Sequence, residues 1–108
     1  MARNRETAVA RARIPMDARP IEIHTDDWLE PIDADFAAIV IPEERKGFVQ
    51  ALLRVCNATG HPVAEFPFET SEIAMDQAIG ILGIPRAKWV SCALGVGDDG
   101  SVPPPDFG

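Results

Sequence analysis

The chain has no tyrosine, two histidines and two cysteines in 108 residues. Two histidines leave few bases for catalysis, and Ser71, Ser91 and Ser101 lack the glycine-flanked elbow that exposes a nucleophile. Cys56 and Cys92 lie far apart, match no C-x-x-C spacing and sit among apolar residues, so both are expected to be buried, reduced thiols. Long hydrophobic runs are also missing. The stretch Phe36 to Ile41 falls far short of the roughly 20 residues of a membrane span, and the Arg-studded N-terminus lacks the apolar centre of a signal peptide. A cytoplasmic location away from membranes is the expectation.

Phosphate-binding and calcium-binding loops are absent in the same way. Gly95-Val-Gly97 precedes no helical pattern and adjoins Asp98 and Asp99, a poor setting for a phosphate. Asp33-Ala-Asp35 resembles the start of a calcium loop but has no glycine in the sixth position. No cofactor and no metal site are expected.

What is present is charge, unevenly spread. Residues 1–19 carry Arg3, Arg5, Arg11, Arg13 and Arg19 against Glu6 and Asp17, a balance of +3, so the net −7 leaves −10 for the remaining 89 residues. A field of that sign repels phosphate backbones and anionic lipid, and favours solubility or a basic partner.

The length suits one domain. Residues 1–20, interrupted by Pro15 and Pro20, read as a flexible basic tail; 21–97 read as a single α+β domain, and 98–108 as a loose C-terminal segment. Ile21 and Ile23 alternate with Glu22 and His24 as in a short strand, and an acidic loop follows to Asp35. Phe36 to Ile41 reads as a central strand ended by Pro42. Phe48, Ala51, Leu52, Val55 and Cys56 recur at helical spacing, which predicts a helix from about Glu43 to Asn57. His61 to Phe68, with Pro67, reads as an edge strand or an extended linker.

Thr70 or Ser71 then caps a second helix with an apolar stripe of Ala74, Ala78, Ile81 and Leu82, ended by Gly83 and Pro85. Trp89 to Val96 fits a last strand or a short third helix. The predicted architecture is a small mixed sheet with two helices on one face, in the order β-β-α-β-α-β.

Three groups of side chains invite a functional reading. Asp26, Asp27, Trp28 and Glu30 place an aromatic within the acidic loop, a surface suited to another protein, a basic one by charge. Glu22, His24 and Asp26 would share one face of a strand, as metal ligands or an acid–base set do, and as any solvated face does. Cys56 and His61 flank the predicted end of the first helix, in the spacing of a thiol–imidazole pair, but a buried cysteine and a turn histidine is the preferred reading.

The stretch from Thr70 to Leu94 resembles the helix-turn-helix of excisionase-type and antitoxin DNA-binding proteins. Ala78, Leu82 and Gly83 match the end of the first helix and the turn. The resemblance implies that Arg86 and Lys88 would meet nucleic acid while Trp89 and Val90 pack inward. Pro85 stands where that motif has a Ser or Thr cap, and Gly80 weakens the first helix. From Leu82-Gly-Ile-Pro to Pro103–Pro105 the chain is also similar to the C-terminal strand of nitroreductase-like flavoproteins, with nothing upstream to hold a flavin phosphate. The leading expectation is a small acidic, non-enzymatic protein-interaction or regulatory protein, compatible with a homo-oligomer. The alternative is a DNA-binding regulator or antitoxin.

Overall fold

Ala8, Ala10, Ala12 and Ile14 are buried while Arg11 and Arg13 between them reach polar partners, and this alternation makes strand β1 (Glu6–Arg13). The computed structural model describes residues 6–15, 34–43 and 47–105. The further strands are β2 (Phe36–Pro42), β3 (Ala51–Cys56), β4 (Pro62–Phe68) and β5 (Val90–Gly95). They form one sheet in the order β4-β3-β2-β1-β5, every neighbouring pair antiparallel. Among the described residues there is one α-helix, α1 (Ser71–Leu82), followed by a single 3-10 turn at Arg86–Lys88.

This corrects the predicted fold: the sheet is antiparallel throughout rather than mixed, and one helix rather than two covers it. The helix predicted from Glu43 to Asn57 contains β3. Ala51, Leu53 and Val55 face α1, whereas Leu52, Arg54 and Cys56 face the opposite side. A strand buried on both faces is apolar at nearly every position, so matches at i, i+3 and i+4 arise within it automatically. Arg54 then passes for the polar face of a helix.

The predicted tail is corrected as well, since β1 lies between β2 and β5. Its register runs from Glu6 opposite Pro42 to Arg13 opposite Phe36, with an irregularity between Ala8 and Ala10. Alanine contributes little hydrophobic signal, yet its small side chains let Ala10 and Ala12 join Ala74 and Ala78 of α1 in one core. Nor is the C-terminal segment loose as far as Pro105. Val102 and Pro105 are buried, Arg11 donates to the Pro103 carbonyl at 2.6 Å, and Arg13 donates to that of Pro105 at 3.0 Å. Val102 closes the second core with Phe36, Ala38, Val40 and Cys56.

Other elements agree with the sequence. β2 is the central strand expected over Phe36 to Ile41, and β4, with Pro62 and Pro67, is an edge strand. Thr70 caps α1, its hydroxyl accepting from the Ile73 N–H at 3.1 Å, and Gly83 ends the helix in the left-handed conformation at φ 71°. Trp89 to Val96 resolves to a strand. The strand predicted at Ile21 and Ile23 lies outside the described residues.

Two further contacts fasten the sheet to the C-terminal segment. Gly60, at φ 95°, accepts a hydrogen bond from the Val102 N–H at 2.9 Å, and a Cβ there would run into the Val102 carbonyl. Arg54, 5% exposed, donates from Nε to Glu65 at 2.6 Å, from Nη1 and Nη2 to Glu6 at 3.0 and 3.1 Å, and from Nη1 to the Gly100 carbonyl at 3.2 Å. Burial lowers the pKa of this guanidinium, but the hydrogen bonds it donates to Glu6 and Glu65 raise it above its ordinary value.

Three outcomes follow. Deleting residues 1–13 removes an inner strand, so urea unfolding of the truncated chain should lose its cooperative transition, whereas loss of a mere tail would leave it intact. Arg54→Ala strips two carboxylates of a buried partner and should cost about 3 kcal/mol in the same measurement. Desolvation lifts the Cys56 thiol from 9.0 to about 11, so the unfolded chain ionises first. The stabilisation is full below pH 9.0 and is lost as pH rises towards 11. Cys56→Ala should flatten that alkaline decline.

Candidate functional site

The outer side of α1 carries the most distinctive described surface. Ala74, Ala78 and Leu82 bury the inner stripe, which turns Glu72, Ile73, Asp76, Ile79 and Gly80 outward. Ile73 is 39% exposed and Ile79 is 50% exposed. At 3.6 residues per turn they flank a strip whose middle is Asp76 and Gly80. Gly80 has ordinary helical backbone, and among the described residues nothing lies within 4 Å of where its Cβ would stand. The packing of the described chain therefore does not require a glycine there, although glycine costs an exposed helix interior about 1 kcal/mol.

The 3-10 turn after the helix folds back on this face. Arg86 donates from Nη1 to Asp76 at 2.7 Å and from Nη2 to Glu72 at 2.6 Å, and these bonds raise its pKa. Asp76 and Glu72 are one turn apart, so a single guanidinium spans both. Lys88 is exposed.

A second polar group lies where the β3–β4 turn meets the C-terminal loop. Asn57 Oδ1 accepts from the backbone N–H groups of Thr59 and His61 and from the Thr59 hydroxyl. His61 Nδ1 is 3.0 Å from that hydroxyl and its Nε2 is 3.6 Å from Asp99, whose pKa is lowered chiefly by the Ser101 hydroxyl. Both His61 and Asp99 are about three-fifths exposed, so water competes with the arrangement. It organises a turn around Asn57 rather than a cleft.

The predicted sites fare unevenly. Asp26, Asp27, Trp28 and Glu30 lie outside the described residues, as do Glu22 and His24. Cys56 and His61 do not meet: the thiol is buried on β3 and the imidazole turns towards Asp99. Arg86 and Lys88 fall on the 3-10 turn, and the residues that would form a recognition helix are strand β5. Trp89 packs on the helix-side core as expected, but Val90 is 45% exposed. Ile73 and Ile79 lie off the buried stripe that marks the helix in the sequence, and two isoleucines off that stripe are the signal of this face.

Among the described residues, no three His, Cys, Asp or Glu side chains are grouped to hold a metal ion, and no helix is long and apolar enough to cross a membrane. No protein-family model, curated protein or solved structure matches the chain.

Thiol labelling tests the burial described above. In native protein at pH 8, Cys56 should resist a thiol-specific reagent and become fully reactive only in denaturant, while half-buried Cys92 labels first.

Proposed function

We propose that the chain is a small acidic, non-enzymatic protein-interaction protein of regulatory type, and that it receives a basic partner on the outer face of α1. The observation that carries this reading is the strip of Ile73, Asp76, Gly80 and Ile79, in which two uncovered isoleucines border a bare stretch of helix backbone. Glycine without a packing reason permits close approach by another chain. Burying both isoleucines would contribute about 1 kcal/mol each. Arg86 occupies Asp76 and Glu72 from within, as a partner's arginine would from outside.

One substitution separates this reading from nucleic-acid binding. Arg86→Ala frees two carboxylates and removes a cation, so capture of a basic protein partner should rise while any retention of DNA should fall. A pull-down with bound protein and DNA both quantified reads the two at once. Ile73→Asp with Ile79→Asp should reduce protein capture at least tenfold. Gly80→Ala should stabilise the chain by about 1 kcal/mol and still weaken capture. Partner binding indifferent to all three changes would refute the assignment.

A further inference from the structure

The segment Val102-Pro-Pro-Pro105 crosses the back of β1 in a conformation that its own covalent structure dictates. Each proline holds φ at about −65°, and Val102, Pro103 and Pro104 each precede a proline, which steers them away from helical backbone. The outcome is polyproline II, a left-handed helix with three residues per turn. Burial follows that period: Val102 and Pro105 are buried, while Pro103 and Pro104 between them are exposed.

β1 grips this turn by its carbonyl groups. Arg11 and Arg13 alternate with Ala10 and Ala12, which face α1, so both arginines lie on the opposite face of the sheet. Their bonds go to the Pro103 and Pro105 carbonyls, and among the described residues the Pro104 carbonyl between these two accepts none. Any residue could supply the gripped carbonyl at position 103, and Val102 and Pro105 are the side chains that fill the space beneath. The grip and the burial therefore leave two pyrrolidine rings and one free acceptor turned outward.

We propose that Pro103 and Pro104 are a docking element for a second protein that carries a groove lined with tryptophan or tyrosine. Aromatic rings stack on the exposed pyrrolidines, and an indole N–H or a phenol O–H donates to the Pro104 carbonyl. Grooves of this kind take polyproline II because its ordering cost is already met, and the arginine bonds fix it further here. This surface lies on the face of the sheet away from α1, so it is independent of the reading above and either can fail without the other.

The probe is a set of purified domains of the WW type, each shown to bind a short oligoproline peptide, titrated with the full chain by calorimetry. Saturable binding to at least one of them is expected, displaced by the oligoproline peptide. Pro103→Ala with Pro104→Ala should weaken it at least tenfold, with urea unfolding alongside to show that the sheet remains formed. Pro104→Ala alone leaves the buried face in place and should weaken it several-fold. Ile73→Asp with Ile79→Asp should leave it unchanged. The proposal is overturned if no domain binds at roughly millimolar chain, if oligoproline does not displace the bound chain, or if neither proline variant weakens binding.

Discussion

A guanidinium with little access to water sets the terms for much of this structure. Arg54 sits on the middle of β3, on the face away from α1, and remains charged because it is surrounded by acceptors from three other segments. Glu6 comes from β1, across β2 from β3; Glu65 comes from the neighbouring strand; the Gly100 carbonyl comes from the C-terminal loop. Each acceptor arrives only if its segment is correctly placed, so the order of strands and the path of the C-terminus satisfy one polar requirement together.

The other arginines repeat the theme. Arg11 and Arg13 hold the proline-rich segment to the back of β1, and Arg86 ties the turn after α1 to the helix. Among the described cations, Lys88 alone lacks such a partner. Among the described residues, Arg11, Arg13, Arg54 and Arg86 are each engaged by another part of the chain, while Glu69 stands exposed.

How much of this was legible in the sequence depended on whether the governing contacts were local. α1 could be read from Thr70 to Gly83 because caps and periodicity lie within the segment they define. β2 and β4 could be read from a continuous apolar run and from prolines. β1 could not, since nothing near Ala8 to Ala12 announces that two distant strands will enclose it. β3 was misread because burial on both faces erases the period-2 signal that marks a half-exposed strand. The candidate surface on α1 was written plainly in Ile73 and Ile79, but as departures from the buried stripe.

The place of β1 in the sheet also bears on how the chain acquires its structure. It is made before its partners, yet Thr7 must find Gly95 and Arg11 must find Val90, both far downstream in the chain. Until then the β2–β3–β4 meander has an unfilled flank and the alanines of β1 have nothing to cover them. Contacts of such long sequence separation slow folding and prolong exposure of unpaired strand edges. A nascent chain of this design depends on not meeting its neighbours too soon.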